Sequence, residues 1–188
     1  MGYAAIVLAG GRSRRMGGGL KPLLRVGGVT MLDRVLAALA GSSHTVVVGP
    51  SELDDHLAGV PRVQEQPPGG GPVAAIGAGF AAVSAAARVA VLAADLPFLT
   101  AQALEQLTGA GDCAVYVDGQ GRRQPLVAVW ATESLRRALE AVPRKDASMK
   151  ELLGAVNVTE LTWAGQGPPP WFDCDTPEAL EEAQKWLR

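Results

Sequence analysis

Strand-length apolar runs recur along this chain, and each is followed by a segment whose apolar positions repeat at helical spacing. That alternation limits the available folds more than any other feature. Tyr3 to Leu8, Thr45 to Val48 and Arg88 to Ala93 are almost continuously apolar, as strands buried on both faces of a parallel sheet should be. Between the first two, Thr30 stands as an N-cap with Asp33 three residues on, Leu32, Val35, Leu36 and Leu39 share one helical face, and Gly41 offers a stop. An alanine-rich helix after Pro72 separates the second strand from the third. Strands alternating with helices predict an α/β fold, a three-layer Rossmann-like sandwich around a mostly parallel sheet.

The second half makes that sheet mixed. Cys113 to Val117 and Gln124 to Trp130 flank Asp118-Gly119-Gln120-Gly121, which reads as a hairpin. Helices are expected from Thr132 to Ala141 and from Ser148, where Glu151 completes a capping box, and then a strand over 156–163. A Pro/Gly connector follows over 165–170, and Asp175-Thr176-Pro177-Glu178 opens a last helix. No internal repeat interrupts the series, so a single domain over residues 1–188 is expected.

Composition excludes several classes of function. With 48% apolar and 19% charged residues, disorder is not the main state. Lys and Arg number 17 against 19 Asp and Glu, so no global basic field exists to hold a nucleic acid or an anionic membrane. Any anion must be gripped locally. The two cysteines, Cys113 and Cys174, stand in no CxxC pattern, which argues against zinc and against a disulfide framework and fits a reducing cytoplasm. The opening apolar stretch is too short for a signal peptide, and no membrane span is expected.

Ten of the chain's 23 glycines lie in two runs, over 10–19 and 69–79. The first run leaves the carboxyl end of the first strand, where open α/β sheets bind ligands. Its backbone can approach a ligand closely, and Arg12, Arg14, Arg15 and Lys21 add cations suited to a triphosphate of about four negative charges. The spacing is neither that of a P-loop nor that of a dinucleotide turn. Asp95 leaves the third strand at the same edge, where a hard carboxylate oxygen suits Mg²⁺, and Thr100 is placed to cap the next helix. The glycine run also reads as a solvated loop, and Asp95 also reads as a plain strand-end turn.

Leu8-Ala9-Gly10-Gly11-Arg12-Ser13-Arg14-Arg15-Met16-Gly17, followed by Lys21, resembles the signature of the nucleotidyltransferases that include molybdenum cofactor guanylyltransferase. The resemblance implies a fold of the nucleotide-diphospho-sugar transferase type. It also implies a nucleoside triphosphate held by Leu8, Ala9, Gly10 and Gly11, with Lys21 and Arg15 on its phosphates. Leu20 stands where that family usually carries Asp. Asp95-Leu96-Pro97-Phe98-Leu99 is similar to the family's metal-binding segment, and Glu65 to Ile76, with Gly71 and Pro72, is similar to the segment beside the guanine and ribose. Glu65 replaces the usual Asp and is a candidate reader of the guanine N1–H and 2-amino edge. No Asn follows the second strand, where the family often has one.

Trp171 to Glu178 resembles the family's Asn-x-Asn-Thr-Pro-Glu run. There Asp173 is the candidate second metal contact, while Asp175 reads mainly as a helix cap, a role that Thr176 offers as well. Arg122, Arg123, Arg144 and Lys145 form a second basic group that either meets an anionic second substrate or decorates a solvated hairpin tip. Gly77-x-Gly79-x-x-Ala82 reads as helix packing rather than an NAD fingerprint, His44 and His56 as surface residues, and the four tryptophans as core edge.

The resemblance implies a Mg²⁺-dependent transferase with Lys21, Arg15 and Asp95 as catalytic residues. It would move GMP from GTP to molybdopterin and release pyrophosphate. Its partners would be Mo-cofactor insertion proteins or recipient molybdoenzymes, without nucleic acid or membrane. Two readings compete: a cytidylyl or sugar-phosphate relative, and a GTP-binding accessory protein without turnover.

Overall fold

The computed structural model describes residues 2–10, 19–143 and 146–187. Strand β1 (Ala4–Leu8) is followed by a two-residue hairpin, β2 (Arg25–Val26) and β3 (Val29–Thr30), then by helix α1 (Met31–Ala38) and strand β4 (His44–Val48). A short β5 (Arg62–Val63) precedes α2 (Gly71–Val83), β6 (Arg88–Ala93) and α3 (Ala101–Thr108). The chain continues through β7 (Cys113–Val117), β8 (Arg123–Ala131), α4 (Thr132–Ala141), α5 (Met149–Gly154), β9 (Val158–Thr162) and α6 (Pro177–Trp186).

The main sheet has the order β5-β4-β1-β6-β8-β7-β9. Its first four strands are parallel, β8 runs antiparallel to both β6 and β7, and β9 returns parallel to β7. This is the mostly parallel mixed sheet that the alternation predicts. Successive side chains of a strand face opposite layers, which sorts the core in two. Ala5 and Val7 of β1 pack with Leu32 and Val35 of α1 and Leu104 and Leu107 of α3. Ala4 and Ile6 pack with Val73 and Ile76 of α2, Leu135 of α4 and Leu152 of α5.

Thr30 Oγ1 accepts from the Asp33 N–H, Thr100 Oγ1 accepts from the Ala103 N–H, and Ser148 and Glu151 form a complete capping box, all as expected. Helix α1 ends at Ala38 rather than at Gly41, because the chain turns through Leu39 first. Gly79 is a packing residue: a Cβ there would lie 2.8 Å from Ile6 Cγ2 and 2.9 Å from Val48 Cγ2, so only glycine lets α2 sit this close to the sheet. His44 and His56 are exposed, and Cys113 and Cys174 are buried and free. Among the described residues, no helix is long and apolar enough to cross a membrane.

Register places the site. Leu8 lies level with Val48 and Ala93, and the paired ladder continues one step further through the Ala9 N–H to Val48 O (2.8 Å) and the Ala94 N–H to Leu8 O (3.0 Å). Gly10 and Asp95 therefore leave the sheet side by side. A break in the β7–β8 ladder adds a wall: Val115 faces Ala128 but Tyr116 faces Gln124, so Pro125, Leu126 and Val127 bulge out of that pairing. Pro125 has no N–H to donate, which suits a residue withdrawn from a ladder.

Candidate active site

A cavity of 540 Å³ opens at these strand ends, a size suited to a nucleotide. Leu8, Ala9 and Gly10 line it from β1, and Ala93 to Leu96 from β6. Glu65, Gly69, Gly71 and Pro72 line it from the second glycine run, and Gln124 to Val127 from the bulge. Lys21, Trp171, Asp173 and Asp175 also line it. The described residues that the sequence nominates for the nucleotide and the metal thus line one cavity: Leu8, Ala9, Gly10, Lys21, Glu65, Gly71, Pro72, Asp95 and Asp173. Gly11, Arg12 and Arg15 fall outside the described residues, as do Arg144 and Lys145.

Lys21 opens a short 3-10 turn, Lys21–Leu23, with Pro22 setting the backbone for it. The residue is 8% exposed, and its ammonium donates to Asp95 Oδ2 and to Asp175 Oδ1. Leu20, at the position of the family's aspartate, packs toward the core instead. Burial opposes the charged form of Lys21, but the hydrogen bonds to Asp175 and Asp95 outweigh it and hold the lysine above its ordinary pKa.

Asp173 and Asp175 come from a segment with strand-like alternation. Phe172 meets Phe98 edge-on at 5.5 Å between ring centroids, and Cys174 is buried beside Val26, Met31 and Ala183. Trp171, Asp173 and Asp175 face the cavity. Asp173 stays exposed at the rim, yet partial desolvation and the negative charges of Asp175 and Asp95 push its carboxyl up to about 6, with Lys21 opposing the shift.

Two sequence readings change here. Asp175 does not cap α6: Thr176 Oγ1 accepts from the Ala179 N–H, and Asp175 turns to Lys21. The tryptophans are not all core edge. Trp130 is fully buried, Trp186 is 57% exposed, and Trp171, tilted on Tyr116 with ring centroids 5.3 Å apart, is part of the cavity wall. Gln124, Trp171 and Asp175 are the site residues that sequence reasoning missed. The alternation of Trp171, Asp173 and Asp175 with Phe172 and Cys174 was the available signal.

Arg122 and Arg123 do not reach the cavity. Arg123 Nε pairs with Glu160 Oε1 at 2.6 Å, and Arg122 lies beside Asp118. Glu65 has one oxygen engaged already, since its Oε1 accepts from the Gly69 N–H at 2.9 Å and so shapes the glycine loop.

Among the described residues, no three Asp, Glu, His or Cys side chains form a ready-made metal cage. Mg²⁺, however, commonly takes only one or two carboxylates and completes its shell from water and substrate phosphates. Asp95 and Asp173 fit that demand, because both carboxylates line the same cavity.

A family model described as the MobA-like NTP transferase domain matches residues 5–160. The molybdenum cofactor guanylyltransferase of Bradyrhizobium sp. (strain ORS 278) is 33% identical over 195 residues, covering 96% of this chain and 91% of that protein. Molybdopterin-guanine dinucleotide biosynthesis protein A from Archaeoglobus fulgidus shares the fold, with a TM-score of 0.73, 22% identity and 97% of each chain covered. So does 2-C-methyl-D-erythritol 4-phosphate cytidylyltransferase from Thermus thermophilus, at 0.75, 21% and 100% of each chain. The glycine-walled cavity at the strand ends, the identity over nearly the whole length and the matching family model agree: the chain belongs to the MobA-like NTP transferase family.

Proposed function

We propose that the protein transfers GMP from GTP to the terminal phosphate of molybdopterin, releasing pyrophosphate and forming a guanine dinucleotide cofactor. The observation that carries this reading is the meeting, in one cavity, of the backbone at Leu8 to Gly10 with the Lys21, Asp95 and Asp173 cluster. The choice of GTP and molybdopterin is supported by the name of the Bradyrhizobium relative.

The β1 exit and the second glycine run present backbone that a nucleotide can approach without side-chain obstruction. Lys21 supplies positive charge beside the phosphates, and preorganised charge of this kind favours the transition state over the bound substrate. Arg12 and Arg15 add to it in this reading. Asp95 and Asp173 would hold Mg²⁺, which when bound supplies charge neutralisation at the α-phosphate and the departing pyrophosphate. The acceptor phosphate is already an anion, so no strong general base is required. Glu65 keeps Oε2 for the guanine edge while Oε1 holds the loop. Free buried thiols at Cys113 and Cys174 fit a cytoplasmic setting, where the product would pass to Mo-cofactor insertion proteins or recipient molybdoenzymes.

Incubation with Mg²⁺, molybdopterin and either labelled GTP or CTP tests the proposal. Pyrophosphate release with GTP is the expected result. Release with CTP alone would assign the protein to the cytidylyl relatives, and tight GTP binding without turnover would make it an accessory protein.

A further inference from the structure

We infer that Asp175 is a positioning residue, whose carboxylate keeps the Lys21 ammonium aimed into the cavity when Asp95 turns to another partner. Lysine carries its charge on a long flexible stem, so a single partner fixes it poorly. Here two carboxylates grip it, from residues 74 and 154 positions away in sequence. The two acids stand in different surroundings: the Asp95 side chain is 19% exposed at the end of β6, whereas that of Asp175 is 65% exposed.

Asp95 is therefore the acid that a bound cation would claim, and Asp175 is the one left to the lysine. Helix capping does not account for Asp175, because Thr176 caps α6; besides Lys21, Asp175 engages the side chain of Asp173. The segment carrying it is anchored on both sides, by Phe172 against Phe98 and by buried Cys174, which lets a largely exposed carboxylate hold a defined place.

The effect on turnover rests on the proposed transferase activity, whereas the chemical reactivity of Lys21 does not. Limited acetylation with acetic anhydride, read by peptide mass spectrometry against exposed Lys150 and Lys185, tests the latter. Asp175→Ala should raise the relative reactivity of Lys21 about two- to fivefold. Asp175→Asn, whose amide oxygen still accepts a hydrogen bond, should recover part of the protection and serves if the alanine variant does not fold. Unchanged Lys21 reactivity in a folded variant overturns the inference, whatever turnover shows.

With GTP and acceptor, Asp175→Ala should lower kcat about tenfold or more while KM for GTP moves less than about threefold. In a Lys21→Ala background the same substitution should add nothing, and additive losses would overturn the inference. A wild-type protein inactive with GTP would defeat the transferase reading alone, with the acetylation result still deciding the role of Asp175.

Discussion

Along Leu8 to Gly10 and Gly69 to Pro72 the cavity is walled by backbone and small side chains, whereas Lys21, Asp95, Asp173 and Asp175 crowd four ionisable groups into the same space. The backbone wall recognises by shape and by peptide N–H groups, and its cost is conformational, borne by glycines such as Gly69 and Gly71 at φ +85° and +87°. The charged wall carries the chemistry, and its cost is electrostatic, seen in the Asp173 carboxyl pushed up to about 6. Substitutions on the backbone wall should therefore act on stability and binding, and those on the charged wall on turnover.

Asp95→Ala is the sharpest test of that division. It should reduce turnover by at least about a thousandfold while circular dichroism and melting stay close to wild type. Near-normal rates would remove Asp95 from the mechanism and end the contrast between the walls.

On the backbone wall, Gly71→Ala should cost about 1–2 kcal/mol, or a few degrees in Tm, from the left-handed backbone alone. A Cβ at Gly71 meets nothing nearer than Ala147 O at 3.9 Å, so an unchanged Tm would show that the backbone relaxes without strain.

Glu65 belongs to both walls. Glu65→Ala should lose about 1 kcal/mol of loop stability with the Gly69 contact. Glu65→Gln should keep that contact and yet lower the GTP over CTP ratio of kcat/KM, since its amide has one acceptor oxygen rather than two. An unaltered ratio would confine Glu65 to shaping the loop.

A further test of the charged wall concerns pH. The folded protein keeps the Asp173 proton up to about 6, whereas the unfolded chain releases it near its ordinary value of about 4. The native state thus binds more protons across that window, and its contribution to stability is lost as pH rises from about 4 to about 6. Melting of the metal-free protein should show this slope, and Asp173→Asn should flatten it. A slope that persists in the variant would assign it to other groups.

Sequence reading was strongest where a local pattern sufficed. Strand β6 and helix α4 have the bounds that periodicity predicts, and the capping box at Ser148 forms as its residues suggest. It was weakest where elements are too short to show a period: β2, β3 and β5 have two residues each and went unread. In the site, motif spacing found Lys21 and Asp95 but could not show that they touch. Asp175 and Thr176 offer the same cap, and only the long-range pairing with Lys21 decides between them. Arg123 looked available for an anion because nothing local reveals Glu160 as its partner.

The anchored segment that carries Asp173 and Asp175 follows β9, which ends at Thr162. A ribosome emits the chain from its N-terminus, so every strand of the main sheet leaves before either acid does. The scaffold can begin to assemble while the charged wall still lacks two of its four groups, so chemical competence follows the sheet in the protein's own production.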